Sequence, residues 1–212
     1  MRRGPERGLR IERMAYFGRA SNAPAWFSAP SWHAALAGIG ITFEIRDDRW
    51  SDDSDVDIVL AHRTEAPTML RQKPASKLTN AWLAGVPALL ANEPAHACLR
   101  RSDLDYIAID SPADVLAALR RLHTCPRLHE AMAENGRRRG ADFAVDAVKA
   151  QWLRFVADRV VREAEAWRAA RDMIARAQLS QLARTFRQKL DARTFKRRLR
   201  DETRPALAAI AR

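Results

Sequence analysis

Cysteine and long apolar runs are scarce in this sequence, and their scarcity narrows the classes of protein that it can encode. The 212 residues include two cysteines, Cys98 and Cys125, which form no Cys-x-x-Cys motif. The pattern indicates neither a disulfide-stapled fold nor a cysteine-bound zinc ion, and a reducing compartment is expected. No segment has the ~20 apolar residues of a membrane span. Residues 1–18 lack the apolar stretch of about 7–15 residues found in signal peptides, so we expect a cytoplasmic protein.

Histidine is also sparse, and its spacing does not suggest a metal site. The five histidines show neither the His-x-x-x-His nor the His-Glu-x-x-His pattern. We therefore expect structural roles for all of them and expect no bound metal and no cofactor. They are His33, His62, His96, His123 and His129.

The positive charge is concentrated at the two ends of the chain. The net charge is +11, with a hydrophobic content of 47%, which is typical of a globular protein. Residues 1–13 hold five arginines and two acids, and residues 159–212 hold fifteen basic and six acidic residues. The middle of the chain, with seventeen basic and eighteen acidic residues, is almost neutral. Basic ends attract phosphates, anionic lipids or acidic partners, whereas the central domain must be interpreted separately.

Short apolar runs alternate with helical segments through the first two thirds of the chain. This order predicts an α/β fold with a single doubly wound, Rossmann-like parallel sheet. We predict a basic N-terminal segment at 1–12, the Rossmann-like domain at 13–158 and a basic amphipathic helical tail at 159–212. The predicted strands are 13–19, 41–46, 56–61, 86–91 and 106–109, and the predicted helices are 31–38, 75–84, 94–101 and 113–123, with helix from 126 onward.

The segment from Lys73 to Leu90 reads KPASKLTNAWLAGVPALL. It resembles the donor-site signature of GT-B glycosyltransferases, in which a Pro-Ser-Lys-Leu turn opens a helix reading Glu-Ala-Met-Ala-x-Gly, followed by a Pro-Val-Val strand. Phe17-Gly18-Arg19 is similar to the end of the family's opening strand, and Asn135-Gly136-Arg137 is similar to its terminal Asn-Gly. The resemblance covers roughly 13–158 and implies the second, donor-binding half of a GT-B fold.

The resemblance implies a site for a nucleotide-diphosphate sugar. A diphosphate suits the N-terminus of a helix, where free N–H groups carry partial positive charge. Hydroxyl groups and full positive charges would add to it, and Asn80 or Glu93 would hold the ribose. The family often has two glutamates eight positions apart, and here those positions are Gln72 and Asn80. The predicted substrate-binding residues are Arg19, Arg63, Lys73, Ser76, Lys77, Thr79, Asn80 and Glu93; the sequence does not point to catalytic residues.

The predicted function is transfer of a sugar from a nucleotide-diphosphate carrier to an acceptor in polysaccharide biosynthesis. GT-B enzymes have two Rossmann-like domains, and the acceptor site usually belongs to the first, which is missing here. A missing N-terminal domain or a partner chain would complete the enzyme. The alternatives are a non-catalytic module that binds a nucleotide sugar or a protein, and an interaction protein that acts through its tail. The tail predicts a packing face or peripheral membrane contact, and nucleic acid is a weaker candidate.

Overall fold

The computed structural model describes residues 2–48, 50, 52–169 and 171–210, and among these it contains one five-stranded parallel sheet. The strands lie in the order β2-β1-β3-β4-β5. This confirms the predicted Rossmann-like α/β fold. All five strands are shorter than the sequence indicated, and β4 differs the most. The strands are β1 (Arg13–Phe17), β2 (Thr42–Arg46), β3 (Ile58–Ala61), β4 (Ala88–Leu90) and β5 (Ile107–Ala108).

Helices connect and follow the strands. The chain is helical through most of its length after Pro126, as predicted. A π-helical turn, Val156–Val160, separates two helices of the C-terminal region. The α-helices are α1 (Pro30–Ala37), α2 (Pro67–Leu70), α3 (Ser76–Ala84), α4 (Pro94–Leu99), α5 (Pro112–Thr124), α6 (Pro126–Gly140), α7 (Val145–Phe155), α8 (Val161–Ala169) and α9 (Arg171–Ile210).

All the strands are parallel, but the side of the sheet on which successive strands are added changes at β1. The chain goes from β1 to β2 on one side, and then returns to the other side of β1 to form β3. Because parallel crossovers are right-handed, this reversal places helices on both faces of the sheet. The inner strands β3 and β4 are correspondingly apolar, and every one of their residues is buried. In such folds ligands bind at the carboxyl edge of the sheet, beside the reversal, which here lies between β1 and β3.

The chain forms two compact units. The first, which we call the sheet unit, comprises Met1–Thr64 and Lys73–Ala144. The second, which we call the helical unit, comprises Glu65–Gln72 and Val145–Arg212. The helical unit contains α2 and α7 to α9, so it begins earlier than the tail suggested by the sequence. Among the described residues, no helix is both long enough and apolar enough to cross a membrane.

The arginine-rich N-terminal segment belongs to the sheet unit because it neutralises a buried carboxylate. Asp57, at the start of β3, is fully buried. Arg3 and Arg7 each bind it at 2.7 Å, and the backbone N–H groups of Glu12 and Arg13 donate to it at 2.9 and 3.0 Å. Burial alone would raise the pKa of Asp57, but these hydrogen bonds lower it below its ordinary value. The predicted boundary at residue 12 is therefore not a boundary between compact units.

Two glycines bring α6 close to α3. A Cβ atom at Gly140 would lie 3.0 Å from the backbone of Trp82 and Leu83, and one at Gly136 would lie 3.2 Å from the Trp82 ring. The absence of side chains at these positions, one turn apart, lets the two helices approach closely. Trp82 is buried. The Asn-Gly pattern near residue 135 thus has a packing explanation.

A second buried carboxylate fixes the loop before β5. Asp105 accepts hydrogen bonds from Asn135 at 2.9 Å and from Arg139 at 3.0 Å. Its backbone carbonyl accepts from Trp82 Nε1 at 3.0 Å, and the Arg139 guanidinium lies 4.6 Å from the Trp82 ring centroid. These contacts connect α3, α6 and the loop, so they fix the position of α3 in the sheet unit.

An aromatic cluster holds the loop after β1. Trp26 packs edge-on against Phe27 and Trp32, with ring centroids 4.4 and 4.8 Å apart. Phe27 in turn contacts Tyr16 at 5.3 Å and Phe43 at 5.0 Å. Edge-to-face contacts of this kind add to the free energy gained by burial. The loop is therefore anchored to the core by aromatic packing, although it contains only short 3-10 turns.

Candidate functional site

The end of β1 turns through a glycine. Gly18 has φ 155°, a conformation that side chains rarely adopt, and its N–H donates to the carbonyl of Arg46 at 2.9 Å. A Cβ atom at this position would lie 3.0 Å from Lys77 Nζ and 3.1 Å from the Tyr16 hydroxyl. The glycine therefore leaves room for the lysine ammonium at the carboxyl end of the strand.

Lys77 is held at this point by two contacts. Its ammonium donates to the backbone carbonyl of Phe17 and lies 4.6 Å from the centroid of the Tyr16 ring. Both contacts are favourable for a cation, since the carbonyl oxygen and the ring face are negative. The structure thus brings Lys77 to the end of β1, and Arg19 follows two residues after Phe17 in the chain. Arg19 is exposed, and the two residues lie at the same edge of the sheet.

The start of α3 has no side-chain cap. Ala75 occupies the N-cap position, and the first turn contains no acidic residue. The first N–H groups of a helix have no partner within the helix, and they carry partial positive charge. This helix start therefore places additional positive potential beside the Lys77 ammonium.

The other predicted residues of α3 have different surroundings. Ser76 is exposed at the helix start, and Asn80 is exposed one turn later on the same side of the helix. The Thr79 hydroxyl donates to the carbonyl of Ser76 at 3.3 Å, so it is engaged within the helix. Lys73 is half-buried in the connection that precedes α3. Ser76 and Asn80 are thus the accessible polar side chains near Lys77.

Arg63 and Glu93 form a buried ion pair. They follow the neighbouring strands β3 and β4, and Arg63 Nη1 lies 2.6 Å from Glu93 Oε2. Their side chains are only 9% and 3% exposed. Both are among the predicted substrate-binding residues, and the sequence predicted a ribose contact for Glu93. The structure instead places each one against the other, so that their charges largely cancel.

His96 lies close to this group, and sequence reasoning had assigned it only a structural role. The ring is fully buried, and Nδ1 lies 3.1 Å from the carbonyl oxygen of Ala91. Burial, together with the positive charges of Arg63 and Lys77, lowers the pKa of His96 to about 4, although the hydrogen bond to Ala91 acts in the opposite direction. The ring is therefore neutral at neutral pH. In the sequence, the signal that could have placed His96 near this ion pair is its position three residues after Glu93.

A further arginine at this edge, Arg46, is already engaged in ion pairs within the protein. Arg46, at the end of β2, is 4% exposed and binds both carboxylate oxygens of Asp55 at 2.8 Å. It also pairs with Glu44. The bond from Arg46 lowers the pKa of Asp55 to about 2. Arg46 therefore supports the loop after β2 rather than offering its charge to a ligand.

The arrangement suits an anion better than a metal ion. Lys77, the α3 start and Arg19 are electropositive groups around the end of β1. Within the described residues, no three His, Cys, Asp or Glu side chains come together as ligands for a metal ion. No protein-family model matches the chain, and a search of curated proteins finds no match.

Proposed function

We propose that the sheet unit binds the diphosphate of a nucleotide sugar at the carboxyl end of β1. On this proposal the chain is a glycosyltransferase, or the donor-binding half of one. The observation that carries the proposal is the position of Lys77, whose ammonium lies against the Phe17 carbonyl beside the uncapped start of α3. The resemblance of Lys73–Leu90 to the GT-B signature agrees with it.

The chemistry of sugar transfer explains why such a site is useful. Negative charge grows on the diphosphate as the bond to the sugar breaks, because the diphosphate is the leaving group. A fixed ammonium and oriented N–H groups stabilise this charge without having to reorganise. Lys77 and the α3 start would provide this stabilisation, with Arg19 reaching the same phosphates from the neighbouring loop.

Three other predicted residues, Asn80, Arg63 and Glu93, receive supporting roles in this proposal. Asn80, exposed on α3, would hydrogen-bond a ribose hydroxyl. The ion pair of Arg63 and Glu93 would keep the edge between β3 and β4 in shape, since removal of either partner leaves a buried charge. The neutral His96 ring would pack behind this pair without adding charge.

Titration calorimetry with UDP, GDP and their sugar conjugates tests the binding step. Lys77→Ala is expected to weaken binding at least about tenfold, since a charge-assisted hydrogen bond contributes roughly 1.5–3 kcal/mol. Lys149→Ala is the matched control, because Lys149 is exposed on α7 in the helical unit and should leave binding unchanged. If no nucleotide diphosphate binds, or if both variants bind as the wild type does, the proposal is wrong.

A transfer assay tests the catalytic step separately. Donor-sugar consumption is measured with lipid-linked and polysaccharide acceptors, for wild type and for Lys77→Ala. Consumption that depends on Lys77 would support an enzyme. Donor binding without any transfer would support a non-catalytic nucleotide-sugar module.

A further inference from the structure

The long helix α9 carries an apolar stripe that faces solvent. Leu179, Leu182, Phe186 and Leu190 are spaced three and four residues apart, which places them on one side of the helix. Their exposed fractions are 68, 67, 67 and 47%. We call these four residues the α9 stripe. A contiguous apolar surface of this kind indicates an interaction site.

The opposite side of α9 already has a packing partner. α9 contacts α2, which belongs to the same unit. Gln188, Ala192 and Phe195 are half-buried, and at ~100° per residue they lie roughly opposite the α9 stripe. Packing within the helical unit therefore uses one side of α9 and leaves the stripe uncovered.

Basic residues flank the stripe. Residues 177–198 contain seven lysines and arginines and one acidic residue, Asp191. On the helix, Arg187 and Lys189 lie roughly 70–100° to either side of the stripe, and Arg193 and Arg197 continue its line. Long basic side chains at such positions can extend to phosphates while their stems cover apolar surface.

We infer that the α9 stripe binds the surface of an anionic lipid bilayer, with the helix lying in the plane of the headgroups. An apolar side flanked by positive charges matches both the acyl region and the phosphates of such a surface. A second copy of the chain fits less well, because it would bring the same positive charge to the contact. Trp152 and Trp167, 63 and 54% exposed in the same unit, add side chains that favour the headgroup region.

Vesicle co-sedimentation of the full chain tests this inference. The probes are phosphatidylcholine vesicles with and without added phosphatidylglycerol. Wild type is expected to bind the anionic vesicles and to be released as salt rises from about 0.1 M to about 1 M, which shortens the Debye length from ~10 to ~3 Å. Leu182→Asp combined with Phe186→Asp should reduce the partition coefficient at least about tenfold, since two apolar side chains leave the acyl region.

The matched control moves the same two charges by one residue. Gln181→Asp combined with Thr185→Asp changes the net charge equally, keeps the four-residue spacing and lies away from the stripe. It should retain most of the binding. Equal loss in both double variants, or equal binding to neutral and anionic vesicles, would overturn the inference. So would a lipid-free dimer that the stripe variant dissociates, because the stripe would then be a protein interface.

Discussion

Replacement of Asp57 by asparagine is expected to destabilise the sheet unit strongly. Asp57 Oδ1 accepts from Arg3 Nε, Arg3 Nη2 and Arg7 Nε, while Oδ2 accepts from Arg7 Nη2 and two backbone N–H groups. An asparagine has one oxygen and one NH₂ group, so in either orientation three donors lose their acceptor. The side chains of Arg3 and Arg7 are only 10 and 11% exposed, so water cannot fully solvate their guanidinium groups once the carboxylate is gone.

The magnitude follows from the bonds that are lost. In one orientation these are one charge-assisted bond, worth about 1.5–3 kcal/mol, and two backbone bonds, worth roughly 0.5–1.5 kcal/mol each. Loss of one partner of a buried ion pair costs about 3–5 kcal/mol, which agrees. For a chain of this size the midpoint of thermal unfolding should fall by roughly 6–20 °C.

Urea unfolding of Asp57→Asn, followed by near-ultraviolet circular dichroism, measures this loss. The signal reports on the sheet unit, where Trp32 and Trp82 are buried. Asp103→Asn is the control, because that carboxylate is 97% exposed in its pair with Arg100 and should contribute less than about 1 kcal/mol.

The same comparison has a pH dependence with a defined sign. The pKa of Asp57 is lowered in the folded state, so its contribution to stability is complete above the unfolded pKa. That contribution is lost as pH falls through the folded pKa. The difference in stability between wild type and Asp57→Asn should therefore shrink in acid. A loss as small as that of Asp103→Asn, or a difference that does not change with pH, would refute the reasoning.

Three further predictions follow from other positions. Gly140→Ala should destabilise by about 1–3 kcal/mol in urea unfolding, because its Cβ meets the α3 backbone, whereas Gly38→Ala, with nearest contacts at 3.5 Å, should be neutral or better. Gly18→Ala should weaken nucleotide-diphosphate binding by crowding the lysine ammonium, whereas Gly40→Ala, which is also at a positive φ but in open space, should not. Burial raises the pKa of Asp53 to about 7, so Asp53→Asn should gain stability relative to wild type, by up to about 4 kcal/mol, as pH rises from 4 to 8.

Much of the fold could be predicted from the sequence because its signals are local. Five short apolar runs separated by helical segments are enough to indicate a parallel α/β sheet. The predicted helix 75–84 matches α3 to within one residue, and Gly85, with φ 73°, ends the helix as glycine commonly does. The strand β4 is shorter than its apolar run, because only Ala88 to Leu90 pair with a neighbouring strand.

The candidate site could be predicted only in part. Parallel strands end at one edge, so Arg19 and Lys77 were both expected there, and the Lys77 ammonium does contact the Phe17 carbonyl at the end of β1. The pairing of Arg63 with Glu93 depends on which strands are neighbours and on the rotamers of both side chains, which residue order does not reveal. The role of Arg3 was missed for a similar reason, because its partner Asp57 lies fifty-four residues away.

The aromatic cluster under the loop after β1 also provides an optical probe. The Trp26 and Trp32 rings are 4.8 Å apart and inclined at 83°, so their electronic transitions couple when light is absorbed. Coupled indole rings produce a paired positive and negative circular dichroism band, whose size depends on their separation and angle. The loop that presents Arg19 therefore carries a label-free reporter of its own conformation, and this reporter can be recorded while a ligand is added.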